Sequence, residues 1–130
     1  LENLKSSHGH VINVSSIHAK LTKPRFTCYA ASKAALEAMT RSLAIELSPL
    51  GISVNAIAPA AIATEMLQAG FNSAPEKLCE LERYHPSKSI GTPEEIAVFI
   101  HLITNHCGKF LTGSTIDFNG GIAACLHDPE

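Results

Sequence analysis

Gly51-Ile52-Ser53-Val54-Asn55-Ala56-Ile57-Ala58-Pro59 is the stretch on which the fold turns. Ile52 to Ala58 reads as a short buried strand, opened behind a turn glycine and stopped by Pro59. Ahead of it, residues 28–48 hold neither Gly nor Pro and are dense in Ala, Leu, Glu, Lys and Arg, so they predict a long helix that Pro49 and Gly51 end. Leu36, Met39, Leu43 and Leu47 lie three or four apart and form its expected apolar stripe. Ala30, Ala34, Ala35 and Ala38 are small residues against which a neighbouring backbone or a partner helix can pack. Further back, Val11-Ile12-Asn13-Val14 follows Gly9 and reads as another buried strand. The loop from Ile17 to Thr27 contains Pro24, which forbids a helix there. Strand, helix and strand in that order predict a right-handed crossover between parallel strands.

Beyond Pro59, residues 64–84 read as a mobile helical flap interrupted by Gly70 and Pro75. Thr92-Pro93-Glu94-Glu95 has the signature of a helix start: Thr as cap, Pro at the first position and a Glu placed to close a capping box. That helix runs to about Thr104 with Ile96, Phe99, Ile100 and Ile103 on one side. Thr115 to Phe118 is a third short strand, ended by Asn119-Gly120-Gly121, and the tail from Cys125 to Glu130 is expected to fray. The 130 residues suit one core and show no repeat or second domain.

Composition narrows the class. With 45% hydrophobic and 17% charged residues the chain is globular rather than disordered. Its 10 basic and 12 acidic residues are interspersed and leave a net charge of -2, which gives no basic face for nucleic acid or for an anionic membrane. No apolar run is long enough to span a bilayer, and the N-terminus has no signal-peptide core. Cys28, Cys79, Cys107 and Cys125 are scattered without a Cys-x-x-Cys pair, so free thiols in a reducing, cytoplasmic setting are expected. Neither His8 with His10 nor His101 with His106 has acidic or thiol residues at ligand spacing, so no metal site is expected.

Tyr29 and Lys33, four apart at the start of the long helix, share one face. Alone, that pair is equally an aromatic ring packed on a lysine stem. Ser16 gives it context: it follows the first strand, where open parallel sheets bind their ligands, and the helix returns along the same edge. The three side chains can therefore converge. A free phenol, with a pKa of about 10, is a poor acid-base catalyst at neutral pH, and a neighbouring ammonium favours the phenolate. The Ser16 hydroxyl can hold a carbonyl, and Lys33 can donate to a cofactor ribose. Proton to oxygen with hydride to carbon is a carbonyl reduction; the reverse is an alcohol oxidation.

With these residues in place, the chain resembles the short-chain dehydrogenase/reductase family over about residues 9–121. The resemblance rests on Val11-Ile12-Asn13-Val14-Ser15-Ser16, Tyr29-Ala30-Ala31-Ser32-Lys33-Ala34-Ala35, the stretch 51–59, Gly91-Thr92-Pro93-Glu94-Glu95-Ile96-Ala97 and Leu111-Thr112-Gly113-Ser114-Thr115-Ile116. It implies an α/β fold, here the C-terminal part of a Rossmann-like doubly wound parallel sheet with about three strands and flanking helices. It implies Ser16, Tyr29 and Lys33 as catalytic residues. It further implies Tyr29, Lys33, Pro59, Ile62 and Thr64 as contacts of NAD or NADP, a small carbonyl or alcohol substrate, and a homo-oligomer formed through the helix at 28–48. Thr64 reads equally as a helix cap.

Some features depart from the family. Ala60 stands where a Gly is usual, adding a methyl group and limiting positive backbone angles where a cofactor approaches. Asn119 replaces an Asp, with little effect expected in a turn. The chain begins with Leu1 and contains no Gly-x-x-x-Gly-x-Gly or Gly-x-Gly-x-x-Gly loop to receive a pyrophosphate, so it reads as a partial domain, a fragment of a longer enzyme or a self-associated one. The first strand would then expose a sheet edge. The alternative is a non-catalytic oligomerisation or binding module of the same ancestry. A sugar epimerase fits the strand and the late Thr-Gly less well. Lys20, Lys23 and Arg25 either favour an anionic substrate or form a solvated basic loop, and Met66, Leu67 and Phe71 form either a lid or ordinary packing.

Overall fold

The computed structural model describes residues 1–126. Its centre is the strand β2 (Ser53–Pro59), every residue of which is buried. On one side β2 pairs in parallel with β1 (His10–Val14), with Val14 opposite Ile57, and on the other with β3 (Thr115–Phe118), with Pro59 opposite Phe118. The sheet order is β1-β2-β3. This is the three-stranded parallel sheet expected from the sequence. β1 differs from its expected burial: as an edge strand it is half-buried along its length, and Val14 is exposed.

The helices flank this sheet. A short α1 (Glu2–Ser6), which the sequence did not announce, precedes β1, and α2 (Thr27–Leu47) connects β1 to β2. α2 ends in a 3-10 turn, Ser48–Leu50, closed by Gly51 in the left-handed region at φ 75°. The expected flap resolves into α3 (Glu65–Phe71) and α4 (Pro75–Tyr84), with Gly70 inside α3 and the break falling just before Pro75. α5 (Pro93–His106) starts with the full capping box, in which the Thr92 hydroxyl accepts from the Glu95 N–H and the Glu95 carboxylate accepts from the Thr92 N–H at 2.7 Å.

The core is compact and centred on β2: Ile52, Val54 and Ala44 pack together, with Leu4, Val11, Leu43, Leu47 and Leu50 around them. Phe99 of α5 meets Phe118 of β3 with ring centroids 5.5 Å apart. α2 departs from its expected stripe. Leu36, Leu43 and Leu47 are half-buried, but Met39 is exposed, and the fully buried positions are Glu37, Thr40 and Ala44. The face turned to the sheet is therefore partly polar. The frayed tail expected from Cys125 lies, from residue 127 on, outside the described residues.

Candidate functional site

The carboxyl ends of the three strands lie along one edge of the sheet, because all three are parallel. β1 delivers Ser15 and Ser16 to that edge, β2 delivers Ala60 to Thr64, and β3 delivers Asn119 to Gly121. Ser16 is buried and caps the 3-10 turn Ile17–Ala19, its Oγ accepting from the His18 N–H at 3.2 Å. A hydroxyl has one proton to donate and can accept twice, so that bond leaves the Ser16 proton available.

α2 brings Tyr29 and Lys33 to the same edge. Lys33 Nζ donates to the carbonyl of Val14 at 2.9 Å and lies 5.7 Å from the centroid of the Tyr29 ring. The ammonium is thus pinned to the last residue of β1, two residues before Ser16. Tyr29 is 43% exposed, so its ring stands at the surface of this edge. Its connection to Ser16 runs through His18, whose ring meets Tyr29 edge-on at 5.7 Å and 74°.

What seats α2 here was not visible in the motifs. The Ser15 hydroxyl donates to the buried Glu37 carboxylate at 3.0 Å, and the Asn13 amide donates to Thr40 Oγ1 at 2.9 Å, which itself donates to the Leu36 carbonyl at 2.8 Å. These bonds join the end of β1 to the first half of α2 and fix the turn that carries Lys33. Sequence reading missed Ser15, His18, Phe26 and Glu37; the one signal on offer was the closeness of His18 to Ser16. On the β2 side, Asn55 is buried, its amide donating to the Leu111 carbonyl at 2.8 Å and its Oδ1 accepting from the Ser114 N–H at 3.1 Å.

The loop after β2 is held by a single parallel bridge between Ile62 and Gly91. Pro59 is buried at the end of the strand, Ile62 is half-buried, and Thr64 is exposed. The Thr64 hydroxyl accepts from the Leu67 N–H at 3.2 Å, so it does cap α3. Ala60 is absent from the residues at positive φ, so the limit that Ala sets on such angles does not act here. Asn119 makes the expected turn, its Oδ1 accepting from the Gly121 N–H at 3.0 Å.

The basic loop is mostly engaged. Lys20 pairs with Asp117 at 2.9 Å, and Lys23 sits 4.4 Å from the Phe26 ring centroid. Met66 projects into solvent, and neither α3 nor α4 buries a residue. A cavity of about 350 Å³ opens farther along the same edge, lined by Ala61, His85, Ser89, Gly91, Asp117 and Phe118 among others; Ser16, Tyr29 and Lys33 do not line it. Among the described residues, no group of three His, Cys, Asp or Glu is placed to hold a metal ion, and no helix is long and apolar enough to cross a membrane. The four cysteines are free thiols.

Comparison with known proteins gives a consistent picture. Residues 1–123 match the family model described as enoyl-(acyl carrier protein) reductase. The chain is 38% identical over 114 residues to 3beta-hydroxysteroid dehydrogenase 1 of Eggerthella lenta, which covers 88% of this chain and 43% of that protein. Among solved structures, a 3-oxoacyl-[acyl-carrier protein] reductase from Brucella melitensis superposes with a TM-score of 0.82 at 36% identity, over 93% of this chain and 45% of that one. ElxO with NADP bound superposes with a TM-score of 0.85 at 29% identity, over 96% of this chain and 51% of that one. The chain spans less than half the length of the curated relatives it matches.

Proposed function

Because the chain belongs to the short-chain dehydrogenase/reductase family, we propose that Ser16, Tyr29 and Lys33 are the proton-transfer and carbonyl-holding groups of an oxidoreductase that reduces a small carbonyl compound or oxidises the corresponding alcohol. The observation that carries this reading is the Lys33 ammonium fixed on the Val14 carbonyl beside the Tyr29 ring, at the strand end that also presents Ser16.

Each residue has a role that its contacts leave open. The Ser16 hydroxyl keeps its proton for the substrate oxygen, since its bond to His18 uses only a lone pair. Tyr29, exposed at the sheet edge, gives its phenolic proton to that oxygen in reduction and recovers it in oxidation. Lys33 spends one N–H on Val14 and keeps two, enough to hold a ribose hydroxyl and to stand as a cation beside the phenol. Pro59, Ile62 and Thr64 follow β2 onto the same edge and suit the nicotinamide end of NAD or NADP. When bound, the nicotinamide supplies or accepts the hydride. The donors present fit that end of the cofactor; the sequence holds no glycine-rich loop for the pyrophosphate. The chain accordingly corresponds to the C-terminal half of a Rossmann-like domain. Its free thiols suit a cytoplasmic setting, and a second copy is expected to pack on α2.

Fluorescence titration of the chain with NADPH and NADH tests the reading, followed by carbonyl-reduction kinetics of Tyr29→Phe. Saturable binding is expected, with the variant binding normally and turning over about 10² to 10⁴ times more slowly, the range of general acid-base catalysis. Normal turnover by the phenylalanine variant would remove Tyr29 from the chemistry.

A further inference from the structure

We propose that His18 is a positioning residue for the Ser16–Tyr29–Lys33 site, its neutral ring bracing the Tyr29 phenol and its protonation releasing it; the inference rests on the reading of that site given above. His18 stands between the two ends of the site. Its backbone N–H is bound to Ser16 Oγ, and its side chain belongs to a closed set of three rings. The His18 and Phe26 centroids are 4.7 Å apart with a tilt of 35°, His18 and Tyr29 are 5.7 Å apart at 74°, and Phe26 and Tyr29 are 5.7 Å apart at 83°. Two of the three pairs are edge-on, the arrangement aromatic rings favour. An exposed tyrosine at the head of a helix would otherwise sample several rotamers. Here two rings, one from the turn after Ser16, hold it.

The brace works only while the imidazole is neutral. His18 Nδ1 is buried and has no hydrogen-bond partner among the described residues. A neutral ring tolerates that, whereas an imidazolium would bury an unpaired charged N–H. Among the described residues the surroundings offer no free carboxylate to offset that charge, and the Leu21 backbone is the one group that favours it. Its own loop contributes Lys20, Lys23 and Arg25; α2 contributes Tyr29 and Lys33. β2, which also packs on this turn, has no titratable side chain. Asp117 of β3 is already paired with Lys20. Burial first, and then the charge of Lys23, hold His18 below the ordinary histidine value, with the Leu21 backbone acting in the opposite direction. Acidification therefore pushes the ring out of its place, and Tyr29 loses one of its two supports.

The chain has two tyrosines, which makes a direct test practical. Proton NMR of the full chain, with ring signals assigned through Tyr29→Phe, follows Tyr29 and His18 together from pH 8 to pH 4, with Tyr84 on α4 as the internal reference. The Tyr29 ring signals are expected to shift along the His18 titration, with a shared midpoint below the ordinary histidine value of about 6.5, while Tyr84 does not follow it. His18→Phe keeps a ring without a titrating group, so its Tyr29 signals should stay at their neutral positions down to acid pH. In His18→Ala they should be displaced at every pH. Tyr29 signals indifferent to His18, or the same acid shift persisting in His18→Phe, would overturn the proposal. No cofactor enters the measurement, so it can fail with nicotinamide binding intact and succeed with it absent.

Discussion

Asn55 lies in the middle of the central strand and is 1% exposed, a place where an amide survives only with its partners supplied. One side of it receives the Ser114 N–H and the other donates to the Leu111 carbonyl, so a single side chain ties the loop before β3 to β2. Asn55→Ala strips both backbone groups at once. At about 1–3 kcal/mol for each polar group left unpaired, the variant should lose roughly 2–6 kcal/mol. Urea unfolding should show this as a lower midpoint at unchanged slope; a loss under about 0.5 kcal/mol would mean water replaces the amide. The residue scale also shows where the sequence stops being legible. Tyr29 and Lys33 could be paired from the sequence because helical geometry fixes what lies four positions apart. The bonds from Ser15 to Glu37 and from Asn55 to Leu111 span 22 and 56 positions. No local rule connects such residues, and a glutamate in a helix reads as solvated until its partner across the packing interface is known.

At the scale of elements, the long helix is legible in its extent and only in part in its facing, since Leu43 and Leu47 do pack on the core. Apolar spacing pointed to Leu36, Met39, Leu43 and Leu47, but the sheet-facing line is Lys33, Glu37, Thr40 and Ala44, and Met39 is 47% exposed. The reason is the polar end of β1: Asn13 and Ser15 need partners, and a helix turned to supply them cannot also bury Met39. The same rotation leaves Ala31, Ala35, Ala38, Ser42 and Ile45 exposed at spacings of three and four, with Ile45 at 78%. Small residues there allow close approach of a second helix, and Ile45 adds apolar area, which fits the pairing of copies through α2 proposed above. Ala38→Trp places a large ring in the middle of that stripe without touching the core. Light scattering after size exclusion should show the mass of the associated species fall toward that of one chain, with the circular dichroism unchanged. An unaltered mass would mean that any association uses another surface.

Across the whole molecule, β1 is an edge strand, with one histidine at its start and another in the turn beyond its end. At the start, Lys109 Nζ lies 3.3 Å from His10 Nε2 and also donates to the His8 carbonyl, while His10 Nδ1 lies 2.6 Å from Ser53 Oγ. An ammonium can only donate, so Nε2 must accept, and the ring proton sits on Nδ1, directed at Ser53. Beyond the other end, His18 holds its turn against α2. Burial and the charge of Lys109 lower the His10 pKa, as burial and Lys23 lower that of His18. A histidine depressed in the folded state binds its proton more readily when unfolded, so the unfolded chain takes up more protons below the ordinary value of about 6.5. Stability from both groups is therefore complete above that pH and declines as pH falls from it toward the two folded-state values, beneath which this contribution levels off. Urea midpoints measured between pH 8 and pH 5 should trace that decline, and the double variant His10→Phe, His18→Phe should flatten it. A double variant with the wild-type slope would place the acid sensitivity in other groups. A flattened slope would mean that the start of β1 and the turn after Ser16 both depend on neutral imidazoles, so that acid loosens the strand edge and the candidate site together.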